Sequence, residues 1–337
     1  MKRAALCFLL VFVAAAQEPI IRSTVVNVQV PVTVTNKQSR PVTNLTLNDF
    51  KLLDNGIAQD FQLDIVNHPV SLVVAVQTNT PAKKILPLVQ NTSSLLEPLL
   101  AGETGEVAVL TFDHTVQTLL PFTNKADSIH TTFLKLTVGG TQHHLDDAAL
   151  EGIRLLNTRA KGRKKILVLI GEAQDLGSAV STRDVFQRAE LDGILVYAVT
   201  MKLPAPLPPR VTSRNPIPPE GRAPLPMGTI QTQTTDVQNG AYAPTVAEMY
   251  EIVRGITASN SLEAYAAMTG GTQQTFDNQK QLEAALQQIG REVHNQYLLT
   301  FAPSQPTAGF HSLAVEVKVP GTKVRARRAY RVAPEVR

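Results

Sequence analysis

The chain has 337 residues, 43% hydrophobic and 18% charged, enough apolar material for a substantial core and too little charge for a disordered chain. A formal charge of +4, two units of it from Lys2 and Arg3, excludes the strongly basic surface of a nucleic-acid binder, and no aromatic-plus-basic platform takes its place. The one cysteine, Cys7, lies in a leader-like segment, which excludes disulfides, thiol catalysis and zinc–thiolate sites from the rest of the chain.

That leader is the first element. Lys2 and Arg3 form a basic start, Ala4 to Val13 an apolar stretch, and Ala14-Ala15-Ala16 a small-residue cleavage site, so residues 1–16 read as a secretory signal peptide. Cys7 sits inside the apolar stretch and not at its end, against a lipid anchor. The expectation is a secreted or periplasmic protein with no integral membrane segment after cleavage.

Residues 17–67 read as an N-terminal β module. "VVNVQVPVTVTN" alternates apolar and polar residues with a period of two, and Asp54-Asn55-Gly56 marks a tight hairpin between apolar runs. From 68 to 295 the rhythm changes to strands alternating with helices. "SLVVAV" (71–76) has no alternation, which suits a strand covered on both faces. A helix is expected over 82–100, two strands turning at Asp113-His114, a short helix in "KADSIHTTFLKL", a loop "GGTQHH" and an amphipathic helix "LDDAALEGIRLLNT". Then come a buried strand "KKILVLI", a helix "STRDVFQRAELD" capped by Ser181 or Thr182, and a strand "GILVYAVT". Residues 203–245 carry nine prolines between Pro204 and Pro226 and then a Thr/Gln-rich run, an insertion without apolar period. Helices near 247–257, 262–268 and 279–294 follow, with a strand at "TQQTF". Residues 296–337 hold three strand-like segments, "QYLLTFAP", "HSLAVEVKV" and "KVRARRAYRV", which we expect to pair with the N-terminal module. The fold class is therefore α/β, a doubly wound, mostly parallel sheet flanked by β strands from both chain ends.

Several polar clusters are candidates for chemistry. His143 and His144 with Asp146 and Asp147 have ligand-like composition, yet adjacent histidines project differently and acids suit the first turn of a helix. The basic cluster Lys161, Arg163, Lys164, Lys165 and the acids Glu103 and Glu106 read as solvated, and Asp113 as an ordinary turn residue. There is no GxSxG elbow, P-loop or HExxH helix.

The phrases "VNVQVPVTVTNKQSRPVTNLTLNDFKLLDNG", "VAVLTFDHTV", "GGTQHHLDDAALEGI", "KKILVLIGEAQDLGS", "AAMTGGTQQTF" and "NQYLLTFAP…VEVKVPGTKVRARRAYR", in this order, resemble von Willebrand factor A-type (vWA) domains, and more closely the secreted vWA-related acidobacterial domain family. The resemblance runs from about Ile20 to Val332 and implies a vWA (Rossmann-like) fold. It also implies a metal-ion-dependent adhesion site of three loops: an Asp-x-Ser-x-Ser signature, a Thr and an Asp around Mg²⁺. Laid onto this chain, Gln77 takes the Asp position, Asn79 and Pro81 the two Ser positions, Thr141 the Thr, and Glu172 the third-loop Asp, with Asp175 three residues on. Amides bring no charge to offset dehydration of Mg²⁺ and proline brings no donor. The site reads as degenerate, no cofactor is expected, and were a divalent cation held, Thr141 and Glu172 would hold it. The expected function is non-enzymatic binding of a protein partner that the sequence does not name. The alternatives are cation-dependent adhesion through an unconventional shell, and a hydrolase-type enzyme using His143 or His144 with Asp146.

Overall fold

The computed structural model describes residues 27–64, 68–96, 104–160, 162–202 and 260–332. The leader with Cys7, Lys161, Glu103, the 203–245 insertion and the helix expected near 247–257 lie outside the described residues.

A six-stranded sheet forms the centre. Its strands are β5 (Val70–Gln77), β6 (Glu106–Phe112), β7 (Val116–Thr123), β8 (Lys164–Gly171), β9 (Leu195–Met201) and β10 (Gln273–Phe276), in spatial order β10-β9-β8-β5-β6-β7. All neighbours are parallel except β6 and β7, the hairpin that turns at Asp113 to Thr115. Every residue of β5 is buried, as expected of an unalternating apolar run in the middle of a two-face-covered sheet. One face carries Leu72, Val74 and Val76 against α1 (Leu86–Asn91), α3 (Ala126–Leu134) and α7 (Gln279–His294). The other carries Val73 and Ala75 against α4 (Leu145–Asn157), α5 (Thr182–Asp192) and α6 (Ser261–Thr269). Helices on both faces make the sheet doubly wound.

The strands from the two chain ends form two further sheets. One has the order β13-β1-β11-β4 and the other β14-β12-β2-β3, where β1 is Val28–Thr35, β2 Phe50–Asp54, β3 Ile57–Gln59, β4 Gln62–Asp64, β11 Tyr297–Phe301, β12 Gly309–Val317, β13 Lys323–Ala326 and β14 Ala329–Val332. Val28 opposes Phe301, and Val32 opposes both Tyr297 and Ala326, so β1 is clasped by C-terminal strands on both sides. Val28, Val30, Val32 and Val34 point with Phe50, Leu52, Leu299, Phe301, Leu313 and Tyr330 into one shared core. The fold is thus the doubly wound α/β sheet with flanking strands from both ends that the sequence pattern and the resemblance implied.

Three local expectations are corrected. The helix expected over 82–100 is broken into a 3₁₀ turn (Thr80–Lys84), α1 and α2 (Ser93–Leu96). Proline opens α1, and at its end the hydroxyls of Thr92 and Ser93 bond back to the Val89 and Gln90 carbonyls, competing with the main-chain ladder. "KVRARRAYRV" is two strands, because at Arg327-Arg328 the chain crosses from one sheet to the other. Arg163 and Lys164 are not solvated: Arg163 bonds the Ser71 hydroxyl and the Val70 carbonyl, and Lys164 donates to the Val293 carbonyl at the end of α7. Glu106 is likewise engaged, accepting from Ser71 and from both guanidinium arms of Arg159.

Candidate functional site

The loops leaving β5, β6 and β8, with the one entering α4, meet at the C-terminal edge of the sheet, where open α/β sheets bind ligands. Their geometry is set by close backbone approach. Gly139 N–H donates to the Thr78 carbonyl (2.7 Å) and Thr80 N–H to the Gly140 carbonyl (2.8 Å), lacing the first loop to the second. Gly140 N–H donates to Asp113 Oδ2 (2.6 Å), whose carboxylate also holds Thr115. A Cβ on Gly139 would overlap Asp113 Oδ2, so the second loop requires glycine there. Burial opposes ionisation of Asp113, but the N–H donors of Gly140 and Thr115 outweigh it and hold the carboxyl below its ordinary value. Asp113 is more than an ordinary turn residue: it ties the β6–β7 turn to the glycine loop.

At the bottom of this junction lies a closed polar network. The amide of Gln77, fully buried, donates from Nε2 to Asn79 Oδ1 (2.7 Å) and to Glu172 Oε2 (2.6 Å), while its Oε1 accepts from the Glu172 N–H (2.6 Å). The backbone donor at Glu172 fixes the orientation of the amide, since a flipped Gln77 would set N–H against N–H. Gly171 leaves room for that amide; a Cβ there would meet Gln77 Oε1 at 2.5 Å. Asn79 donates from Nδ2 to the Thr141 carbonyl and to His143 Nδ1, both at 3.2 Å. The ring of His143 is buried, and its Nε2 donates to the Gln174 carbonyl (2.7 Å), which leaves Nδ1 as the acceptor that Asn79 needs. Glu172 Oε2 stands 3.3 Å from the same nitrogen.

Of the positions expected to form a site, Gln77, Asn79 and Glu172 do come together. Thr141 joins only by its main-chain carbonyl, and the residue itself is exposed. Asp175 does not join. Its carboxylate accepts from the Asp146 N–H (3.1 Å) and from Ser178, capping α4, and donors from Ser178, Asp146 and Leu145 hold its pKa down against the opposing effect of burial. His143 is the member that the three-loop comparison missed; the sequence singled it out only with His144, Asp146 and Asp147, and the structure joins it instead to Asn79.

The oxygens a divalent cation would need here are engaged: both hydrogens of the Gln77 amide go to Asn79 Oδ1 and Glu172 Oε2, and Pro81 has no side-chain donor. Among the described residues no group of three His, Cys, Asp or Glu side chains is placed to hold a metal ion.

The two histidines point apart. His143 turns inward, while His144 lies 3.5 Å from Asp147 Oδ2 at the surface of α4. Asp147 accepts from the Ala179 and Val180 N–H groups, and Asp146 accepts from the hydroxyls of Thr182 and Tyr265 at 2.6 Å each. Burial pushes the Asp146 carboxyl up to about 6, with the two hydroxyls opposing and the nearby Asp175 and Asp147 adding to the rise. These acids clamp the loop after β8 and the start of α5 onto α4; none is within reach of His143 as an orienting partner among the bonds described.

The chain matches no protein-family model and no curated protein sequence. Solved structures similar to it include a conserved hypothetical protein, BatB, from Bacteroides thetaiotaomicron (16% identity, 66% of this chain and 98% of that one, TM-score 0.44). Another is a von Willebrand factor type A protein from Catenulispora acidiphila (8% identity, 86% and 65%, TM-score 0.47). A third is the vWF domain of the type V pili tip protein Mfa5 from Porphyromonas gingivalis (17% identity, 35% and 44%, TM-score 0.31). These are likenesses, and the functional reading rests on the chain's own residues.

Proposed function

We propose that this chain is an exported protein-binding module that works without a divalent cation, presenting to its partner the loop face above β5, β6 and β8. The observation that carries the reading is the closed network of Gln77, Asn79, His143 and Glu172. Where a cation-dependent adhesion site leaves a coordination position open for the partner, here each amide hydrogen and oxygen meets a protein atom, so the loops are held in one geometry by the protein itself. Around this floor the exposed residues of the loops include the uncharged Thr80, Pro81, Thr141, Gln142, Gln174 and Leu176, with Lys83 and Lys84 at the far end of the first turn. That composition suits a macromolecular contact read by shape. Among the described residues no helix is long and apolar enough to cross a membrane.

The test has two arms. Thermal melts of the full chain in chelator, then with Mg²⁺, Mn²⁺ or Ca²⁺, are expected to coincide. A cation bound only by the folded state at a hundred times its Kd would add about 2.7 kcal/mol, an easily visible rise. A rise abolished by Glu172→Ala would overturn cation independence. In the second arm the immobilised chain is offered the proteins of the exported fraction. A partner retained in chelator and lost with Leu176→Asp supports the reading; retention unaffected by that change places the binding surface elsewhere.

A further inference from the structure

The bend at Arg327-Arg328, where the chain crosses between the two outer sheets, is also where the sandwich docks on the α/β layer. The Arg328 N–H donates to the Met268 carbonyl near the end of α6 (3.2 Å). Ala326 packs so closely on Gly270 that a Cβ on that glycine would meet the Ala326 carbonyl carbon at 2.7 Å. These contacts fix the main chain of the bend, and with it the point from which the Arg327 side chain starts. Arg327 Nη1 reaches the main-chain carbonyl of Glu190, in the last turn of α5, at a long 3.4 Å. Its Nε is buried without a hydrogen-bond partner among the described residues, and so is Glu190 Oε1.

Both residues line one small cavity, together with Pro31 of β1, Gly193 after α5, Leu195 of β9 and Thr269 of α6. Arg327 is 9% and Glu190 7% exposed, so bulk solvent satisfies neither of the two atoms. The other side chains of the lining do not satisfy them either. Those of Pro31 and Leu195 are apolar, and Gly193 has none. The Thr269 hydroxyl already donates to the Tyr265 carbonyl (2.8 Å) and accepts from the Val196 N–H (2.9 Å). Burial works against both charges, pushing the Glu190 carboxyl up to about 7 and the Arg327 guanidinium down to about 10, while each draws the other back in part. The cavity thus brings together a donor that needs an acceptor and an acceptor that needs a donor.

A water molecule answers both needs at once. Measured to the centre of a water molecule, the cavity has a volume of about 10 Å³, at the threshold for one water and too small for a hydrated cation or an organic ligand. We propose that this cavity is a binding site for one ordered water, which accepts from the Arg327 Nε–H and donates to Glu190 Oε1, and so fastens the end of α5 to the bend of the β-sandwich. Such a bridge is nearly as favourable as a direct hydrogen bond. It also spares two buried groups the greater cost of leaving their bonds unmade.

A crystal structure of the full chain, at a resolution that shows ordered water, tests the site. The expected result is a water between Arg327 Nε and Glu190 Oε1, within about 2.7–3.2 Å of each. An empty cavity, or a rearranged pair in which Nε bonds Oε1 directly, overturns the proposal. Glu190→Met keeps most of the side-chain bulk and removes the acceptor, so the water is expected to be lost from the structure of that variant. A water that stays in the same place shows that Glu190 does not hold it, and overturns the bridge. Should Glu190→Met not fold, the structure of the native chain decides alone.

Discussion

Replacing Gln77 by Glu changes one NH₂ into one oxygen at almost constant volume, so its effect isolates the hydrogens of the amide. In the native network those hydrogens go to Asn79 Oδ1 at 2.7 Å and Glu172 Oε2 at 2.6 Å. A neutral bond of this kind contributes about 0.5–1.5 kcal/mol and one to a charged group about 1.5–3 kcal/mol. Both become oxygen–oxygen contacts in Gln77→Glu, and two carboxylates this close in a buried setting cannot both ionise. The expected loss at pH 7.5 is therefore about 4 kcal/mol, read as a fall of about 1 M in the urea midpoint. It should shrink toward pH 5, where one shared proton restores a donor between the two acids. Added Mg²⁺ or Mn²⁺ should also recover part of it, because the substitution supplies the charge that the native amide lacks. A variant within about 1 kcal/mol of the native chain at pH 7.5, or a deficit that grows in acid, would refute the reasoning from the closed network.

Two further predictions concern the loops around it. Gly139→Ala should destabilise by about 1–3 kcal/mol in a thermal melt, because its Cβ would overlap Asp113 Oδ2, an oxygen held by the Gly140 N–H while Thr115 holds the other oxygen of the same carboxylate; an unchanged melting temperature would show the two loops are not laced through that contact. Asp146, pushed up to about 6 by burial, binds its proton more tightly folded than unfolded, so its contribution is present below about pH 4 and is lost as pH rises through about 6. Asp146→Asn should remove a slope of up to about 3 kcal/mol across that window, and stability curves that run parallel from pH 4 to 7 would contradict it.

Much of the architecture was legible because its signals are local. The unbroken apolar run of β5, the Asn55-Gly56 hairpin with both residues at positive φ, and the Ser181 cap that accepts from the Asp184 N–H each follow from short-range rules. The chemistry of the central loops was legible in part. The resemblance drew attention to the amides of Gln77 and Asn79, but not to their satisfying each other, since that depends on the Gly171 approach and on His143 arriving from another loop. Arg163, Lys164 and Glu106 escape a sequence reading for a related reason. Charged residues at strand ends look solvated until the partners that bury them, Ser71, Val293 and Arg159, are brought in from distant segments. The two-strand crossing at Arg327-Arg328 was hidden because both halves have the same strand-like composition.

The clasp on β1 also constrains the order in which the molecule can be assembled. Val28 waits for Phe301 and Val32 for Ala326, so during synthesis the first strand emerges long before either neighbour exists. The parallel sheet between them can close on its own helices in the meantime, whereas the valine face of β1 has only Leu45, Phe50 and Leu52 from its own end of the chain to cover it until β11 and the strands after it have been made. Closing so long a loop costs little more than closing a shorter one, since the entropy grows only logarithmically with length. The delay, not the free energy, is the exposure: a chain cut before β11 would lack both of the strands that pair with β1.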